Sequence, residues 1–198
     1  MLGDEKNEEL VNLDEIDLAQ TAILVIDELG DAEAAPEQTG ILAATLNTAR
    51  ILPLARTAGV PVIYVNDAHI EGLDHELDLW GLHGLAGTPE AQTSPQLDPQ
   101  EGDYTILKRR YSGFFQTGLR LLLDELGVRT LICTGMDTNI CVRHTVADAY
   151  FNNYQIVVVG DATTTFLVGS QEEGLEYMKA CYAAQIVTTD QVVARLGA

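Results

Sequence analysis

Six short apolar runs rich in β-branched residues constrain the fold of this chain most strongly. They occupy residues 21–27, 60–67, 104–108, 130–135, 155–161 and 185–189. Their hydrophobicity is continuous rather than alternating, which is typical of strands that are covered on both faces. Because helix-like segments separate several of these runs, the sequence predicts an α/β fold with a mostly parallel sheet.

Four segments between or after these runs have helical character. They are residues 39–59, 116–127, 138–153 and 170–184, and Pro53 marks an irregularity or a boundary within the first. The long segment 67–103 lacks such a pattern, and its length predicts a functional loop region. The length of 198 residues favours a single domain over 1–198, with residues 1–19 as an acidic N-terminal extension.

The charge of the chain excludes some partners. The chain has 11 Lys and Arg residues and 30 Asp and Glu residues, which gives a formal net charge of −19. Such a surface repels nucleic acid and anionic membranes. No apolar run approaches the roughly 20 residues of a membrane span, and the acidic start of the chain does not resemble a signal peptide. Three cysteines without paired spacing argue against a disulfide framework, so we expect a cytoplasmic protein.

Reactive side chains follow four of the predicted strands. Asp27 ends the first run, Asp67 the second and Lys108 the third, and Cys141 follows the fourth by a few residues. Sites in parallel sheets form outside the carboxyl ends of the strands. We therefore expect these four groups to gather at one edge of the sheet.

Cys141 is the candidate nucleophile. Thr138 or Asn139 is predicted to cap a helix that begins near Ile140, which places Cys141 in the first turn, where free N–H groups favour a thiolate. A nearby Lys108 would lower the thiol pKa further, and Asp27 would serve as general base and acid. Burial as an ordinary core residue is the alternative for Cys141, and it is the expectation for Cys133 and Cys181.

The chain resembles the isochorismatase-like cysteine hydrolases. This family includes nicotinamidases, N-carbamoylsarcosine and ureidoacrylate amidohydrolases, and isochorismatase itself. The resemblance runs from about residue 20 to 190 and rests on AILVIDELGD, ILKRRYSGFFQTGLRLLLDELGVRTLICTG and TNICVRHTVADAYFNNYQIVVVGDATTT. It implies a single-domain, three-layer α/β/α sandwich with a mostly parallel six-stranded sheet.

The resemblance also implies roles for individual residues. Asp27, Lys108 and Cys141 correspond to a catalytic triad in which the cysteine attacks an amide carbonyl and forms a thioester. The family pattern places a cis peptide bond at Met136–Asp137, and it assigns the oxyanion hole to the backbone N–H groups of Asp137 and Cys141. Leu29 stands where many members have Gln, which changes the polarity of the expected pocket.

Histidines concentrate in the irregular segment 67–103. Asp67 and His69 are two residues apart and would share one face of an extended chain, and His83 follows. Carboxylate and imidazole ligands suit one divalent ion, Zn, Fe or Mn. Nicotinamidases carry a similar pattern, in which the ion binds the substrate, and it carries over best to Asp67, His69 and His83, with His75 as a candidate fourth ligand. The alternative is that these histidines only hydrogen-bond within loops. No organic cofactor is expected.

Trp80 and Phe115 are candidates for an aromatic substrate pocket, with core packing as the alternative, and His144 is expected to be structural or near an interface. The resulting prediction is an amidohydrolase acting on a small carboxamide or ureido compound, with nicotinamide as the best single guess. Vinyl-ether hydrolysis of isochorismate and a non-catalytic oligomeric scaffold are the alternatives. The family resemblance suggests a homodimer or homotetramer.

Overall fold

A computed structural model describes residues 11–198. Its centre is a six-stranded sheet in which every neighbouring pair is parallel, in the order β3-β2-β1-β4-β5-β6. The strands are β1 Thr21–Ile26, β2 Val62–Asp67, β3 Tyr104–Lys108, β4 Thr130–Met136, β5 Gln155–Thr164 and β6 Gln185–Val187. The predicted α/β class, with a parallel six-stranded sheet, is confirmed.

Within residues 11–198, six α-helices accompany the sheet. They are α1 Ile41–Thr57, α2 Glu76–Trp80, α3 Leu119–Glu125, α4 Arg143–Phe151, α5 Gln171–Tyr182 and α6 Thr189–Leu196. A π-helical turn, Thr138–Val142, leads directly into α4. In residues 11–198, no helix combines the length and apolar character that crossing a membrane requires.

Each face of the sheet supports its own core, and together they give the predicted three layers. Ile23 and Val25 of β1 pack with α1 and α6, whereas Leu24 and Ile26 pack with α3, α4 and α5. Alternating β1 residues thus point to opposite faces, as the two-residue period of a strand requires. Because both faces are covered, each strand can be apolar throughout, which explains the continuous runs in the sequence.

The structure corrects several boundaries. Pro53 lies inside α1, which continues to Thr57. Helices α2 and α6 were not predicted, and α6 has a capping box built from Thr188 and Gln191. Of the predicted acidic extension, residues 1–10 lie outside the described part of the chain. The side chains of Val11, Leu13 and Ile16 are buried in the α1–α6 core, so this part is an integral element of the fold.

The strand order reverses between β1 and β4, and their ends approach each other closely. Ile26 pairs with Gly135, where a Cβ atom would lie 1.9 Å from the Ile26 carbonyl oxygen and φ is +118°. Only glycine fits such an approach. The next residue of β1, Asp27, has a left-handed φ of +50°, a conformation that is rare outside glycine and is often found at functional sites.

A buried carboxyl group joins the ends of these strands to α1. Glu28 is 1% exposed, and it accepts hydrogen bonds from the hydroxyl groups of Thr48 in α1 (2.7 Å) and Thr134 in β4 (3.0 Å). Burial raises the pKa of Glu28 to about 8, despite the opposing effect of these hydrogen bonds. The side chain is therefore a neutral hydrogen-bonding link at neutral pH.

The Glu28→Gln variant should lose part of the pH dependence of stability. Unfolded Glu28 loses its proton near pH 4.5, whereas folded Glu28 keeps it up to about pH 8. The folded state binds more protons in this window, so the free energy of unfolding falls as pH rises, by up to about 1.4 kcal/mol per pH unit. Urea denaturation at several pH values between 5 and 8 should show a shallower fall for the variant. Equal slopes for both proteins would contradict a neutral buried Glu28.

Candidate active site

A buried lysine organises the edge of the sheet where the strands end. Lys108 closes β3 and is 1% exposed. Its ammonium nitrogen lies 2.5 Å from Asp67 Oδ1, 2.6 Å from Asp27 Oδ2 and 3.5 Å from the sulfur of Cys141. The structure therefore brings together all four groups that were predicted to meet at this edge.

The two carboxyl groups beside Lys108 have different protonation properties. Burial and the nearby Asp67 charge raise the pKa of Asp27 to about 7, although Lys108 opposes this effect. Burial raises the pKa of Asp67, but Lys108 and His69 together outweigh this effect, so the pKa is lowered. Burial alone would lower the pKa of Lys108, but Asp27, Cys141 and Asp67 together raise it well above its ordinary value. Asp67 and Lys108 therefore form an ion pair, and Asp27 is the group that can exchange a proton near neutral pH.

Cys141 lies in the wide π-helical turn that follows β4. The cap of this turn is Asp137, whose carboxylate accepts a hydrogen bond from the N–H of Asn139 at 2.8 Å, so the predicted cap at Thr138 or Asn139 was wrong. The sulfur lies within 4.8 Å of carboxylate oxygens of Asp27 and Asp67. Burial raises the pKa of the Cys141 thiol well above its ordinary value, and Lys108 only partly offsets this increase. The resting group is a thiol, not the pre-formed thiolate that the sequence predicted.

The peptide bond between Met136 and Asp137 is cis. Met136, Asp137 and Cys141 line one side of a cavity of about 460 Å³, and Asp27 and Asp67 lie at the same cavity. The other apolar residues around the cavity are Leu29, Ile41, Trp80, Leu82, Ile140, Phe166 and Leu167. Leu29 and Trp80 thus lie where the sequence placed them.

Phe115 is not part of this cavity, which corrects the predicted pocket. Its side chain is half-exposed and lines a smaller depression with Arg109, Arg110 and Thr117. The reason lies in the turn that follows β3. There the preceding residue, Phe114, packs against the α3–α5 core, which leaves Phe115 on the surface.

A second group of polar side chains borders the cavity. One potential metal-ligating atom from each of Asp67, His69, Glu76 and His83 lies within 4.8 Å of the other three. Backbone hydrogen bonds align the chain segment of His83 with that of His69, because His69 N–H donates to the Gly84 carbonyl at 2.8 Å. Glu76 enters from the first turn of α2. His75 points away, with its side chain exposed and 3.4 Å from Asp78, so Glu76 replaces it as the fourth member.

The chemistry of this group fits a divalent cation. His69 is buried, and within residues 11–198 neither of its ring nitrogens has a hydrogen-bond partner. Its Nε2 lies 3.5 Å from Asp67 and 3.7 Å from Glu76, and its Nδ1 lies 3.5 Å from Asp74. Asp67 and Glu76 raise the pKa of His69 despite its burial. The same negative field attracts a metal ion, and a carboxylate behind a ligating histidine is a common supporting contact.

Three further predictions concern residues away from the cavity. Cys133 is buried in β4, as predicted, but Cys181 is exposed on α5, so its predicted burial was wrong. His144 Nδ1 lies 2.7 Å from the Ile140 carbonyl oxygen, which is consistent with a structural role.

Asp74, which lies 3.5 Å from His69 Nδ1, is bound in turn by Arg109 and Arg110. The Arg109 guanidinium keeps the pKa of Asp74 well below its usual range.

The sequence interpretation missed three acidic residues at the site. Glu76 and Asp74 stand next to His75 in an acidic segment, and nothing in the sequence distinguishes them from surface acids. The Asp137 side chain was also missed, although Asp before Thr at the start of a predicted helix is a signal for a cap. In each case the contact partner is distant in the sequence or depends on a loop conformation.

Comparison with known protein families shows which family the chain belongs to. The sequence profile of the isochorismatase domain matches residues 21–191. The chain belongs to the isochorismatase family. A Bacillus subtilis member, the uncharacterized isochorismatase family protein YaaI, is 30% identical over 179 residues, which cover 88% of this chain and 97% of YaaI. Ureidoacrylate amidohydrolase RutB of Caulobacter vibrioides is 32% identical over 177 residues, covering 75% of this chain and 78% of RutB.

Solved structures of isochorismatase-family hydrolases share the fold. The N-carbamoylsarcosine amidase from Thermoplasma acidophilum superposes with a TM-score of 0.79 and 32% identity, covering 86% of this chain and 97% of the amidase. Nicotinamidase PncA from Bacillus subtilis superposes with a TM-score of 0.74 and 28% identity, covering 85% of this chain and 99% of PncA. These likenesses support hydrolase activity for this family member.

Cysteine labelling tests the resting state of the site. In a Cys181→Ala variant, iodoacetamide should modify Cys141, because it borders the cavity, and should leave buried Cys133 intact. The rate should keep rising above pH 9, because burial raises the pKa of the Cys141 thiol. Peptide mass spectrometry measures both results, and the Cys141→Ala/Cys181→Ala double variant is the control. A rate that is already constant at pH 7 would contradict a neutral resting thiol.

Proposed function

We propose that this protein is a cysteine-dependent amidohydrolase that cleaves the C–N bond of a small carboxamide or ureido compound. The observation that carries the proposal is that the Lys108 ammonium contacts both the Cys141 sulfur and the Asp27 carboxyl group, and that Cys141 and Asp27 line one cavity. A nucleophile, a proton-exchanging carboxyl group and a fixed positive charge are the parts that acyl transfer through a cysteine requires.

The first half of the reaction forms a thioester. Asp27 in its carboxylate form accepts the proton of the Cys141 thiol while the sulfur bonds to the carbonyl carbon. The carbonyl oxygen becomes an oxyanion, which the backbone N–H groups of Asp137 and Cys141 stabilise. Asp27 then gives its proton to the leaving nitrogen, the C–N bond breaks, and ammonia or an amine departs. Lys108 stays protonated and stabilises the negative charge that moves between carboxylate and sulfur.

The second half of the reaction returns the enzyme to its starting state. Asp27 accepts a proton from water, and the resulting hydroxide oxygen bonds to the thioester carbon. The C–S bond breaks, the acid product forms, and the Cys141 sulfur recovers a proton from Asp27. A pKa of about 7 suits Asp27 to both directions of this transfer, because acid and base forms are both populated near neutral pH.

We propose that Asp67, His69, Glu76 and His83 hold one divalent ion, Zn, Fe or Mn. When bound, such an ion supplies a Lewis-acid site that can fix a polar atom of the substrate at the edge of the cavity. Asp67 would belong both to the metal site and to the catalytic group, because its Oδ1 faces Lys108 while its Oδ2 faces His69.

The shape and chemistry of the cavity support a compact substrate with an apolar body. Leu29, Trp80, Phe166 and Leu167 provide apolar walls, and Leu29 removes the polarity that Gln would give. Nicotinamide has the required size, a flat ring and a primary carboxamide, so it remains the best single candidate. The ureido and carbamoyl compounds in the names of RutB and of the Thermoplasma amidase define the second group to be screened.

Two other functions are less compatible with the site. Isochorismate cleavage in this family proceeds without a cysteine at the position of Cys141, whereas here the sulfur lies beside Lys108. A non-catalytic scaffold has no need for a buried lysine between two carboxyl groups, an arrangement that is costly to desolvate.

Variants of the triad test the proposed reaction. Ammonia release should be screened with nicotinamide, pyrazinamide, ureidoacrylate, biuret and carbamoylated amines. Cys141→Ala should lower turnover of the best substrate by about 10⁴-fold or more, and Asp27→Asn by about 10³-fold or more, because each removes a group that reacts directly. Cys181→Ala is the matched control and should retain full activity. Near-normal turnover by Cys141→Ala, with intact circular dichroism, would reject the nucleophile assignment.

Metal binding has its own test. Protein purified without a polyhistidine tag should bind about one equivalent of Zn²⁺ in calorimetric titration. His83→Ala and Glu76→Gln should each weaken Zn²⁺ affinity by about tenfold or more, because each removes one ligand. The His75→Ala variant removes an adjacent, exposed imidazole and should leave the affinity unchanged. Affinities that fall equally in all three variants would contradict the proposed ligand set.

A further inference from the structure

The carboxylate of Asp137 connects two parts of the site that the proposed mechanism treats separately. Asp137 is 5% exposed and lies between the turn that carries Cys141 and the segment Thr165–Ser170, here called the wall loop. The wall loop joins β5 to α5, and its residues Phe166 and Leu167 line the cavity.

Both oxygens of this carboxylate accept hydrogen bonds. Oδ1 accepts from the Asn139 N–H at 2.8 Å and from the Thr165 hydroxyl at 2.7 Å. Oδ2 accepts from the N–H groups of Phe166 at 2.8 Å and Leu167 at 3.0 Å. One buried carboxylate thus accepts hydrogen bonds from the turn that carries Cys141 and from the backbone of the two residues that form the apolar wall.

The neighbouring Asn139 strengthens the same connection from the other side. Its side-chain amide donates to the carbonyl oxygens of Val168 at 2.6 Å and Ser170 at 3.1 Å. Gly174 leaves the space that this side chain occupies, since a Cβ atom there would lie 2.0 Å from Asn139 Oδ1. Both ends of the wall loop are therefore hydrogen-bonded to the turn that carries Cys141.

We propose that Asp137 is a positioning residue. When a substrate contacts the wall loop, the Asp137 side chain couples this contact to the placement of the Asp137 backbone N–H toward the reacting carbonyl oxygen. This inference rests on the proposed function. Its consequence is that a substrate body that contacts Phe166 and Leu167 is recognised in kcat as well as in KM, because its contact holds the same residue that stabilises the oxyanion. A small amide that does not reach the wall loop gains no such benefit.

The Asp137→Asn variant separates this role from a merely structural one. The amide group would place N–H donors opposite the N–H groups of Phe166 and Leu167, or opposite that of Asn139, so one set of hydrogen bonds is lost. For nicotinamide, kcat should fall by about tenfold or more, with a KM change below about threefold. For acetamide, which is too short to reach the wall loop, the fall in kcat should be much smaller.

A double-variant cycle with Phe166→Ala adds a second readout. Phe166→Ala should reduce the kcat preference for nicotinamide over acetamide. Adding Asp137→Asn should reduce this preference little further, because both changes break the same connection between the wall loop and Asp137. Asp161→Asn is the matched control. Asp161 accepts hydrogen bonds from the N–H and hydroxyl of Thr189 at the start of α6, and it does not line the cavity. This variant should keep the preference of the wild type.

Equal losses of kcat for both amides, or additive losses in the double variant, would overturn the coupling. Hydrogen–deuterium exchange provides an arm that needs no substrate, in which Asp137→Asn should accelerate exchange in residues 165–170 and 136–141 but not around Thr189. If the wild type hydrolyses no amide in the screen, the proposed function fails, and this exchange pattern alone then decides whether Asp137 links the two segments. Unchanged exchange in residues 165–170 would overturn the link.

Discussion

The buried ammonium group of Lys108 is the interaction on which the site depends. A lysine that is 1% exposed stays charged only if opposite charges surround it, and Asp27 and Asp67 lie within 2.6 Å of its nitrogen. The parallel sheet provides these partners, because β1, β2 and β3 end at the same edge. One positive charge between two carboxyl groups leaves little stabilisation for a third anion. Burial, which this single ammonium group only partly offsets, raises the pKa of the Cys141 thiol and raises the pKa of Asp27 to about 7.

The sequence predicted the sheet well because its signal is local. Strands buried on both faces must be apolar throughout, so all six runs were visible, and the sheet-edge rule then brought Asp27, Asp67, Lys108 and Cys141 together. The short helix α2 was missed because it has no distinctive pattern at its length. The final helix α6 was also missed, although Thr188 and Gln191 have the capping-box spacing that signals the start of a helix. The burial of Val11, Leu13 and Ile16 was hidden by the acidic residues around them. Phe115 was misplaced because adjacent aromatic residues give no indication of which one faces the core.

The loop residues of the site could be predicted only in part. Asp67, His69 and His83 were found from residue type and spacing, but the replacement of His75 by Glu76 depends on how α2 is oriented, which no spacing rule defines. The thiol pKa was predicted in the wrong direction because the sequence shows nearby charges but not the degree of burial. The contacts of Asp137 depend on the conformation of a loop nearly 30 residues further along the chain.

The proposed reaction requires that Cys141, activated by Asp27 beside Lys108, forms a covalent acyl intermediate. This intermediate can be sought by peptide mass spectrometry on samples that are quenched with acid during turnover of the best amide in the screen. The peptide that contains Cys141 should carry the mass of the acyl group. An acyl group on any other side chain, or an unmodified Cys141 peptide in a reaction that shows a burst of amine release, would rule out Cys141 as the nucleophile.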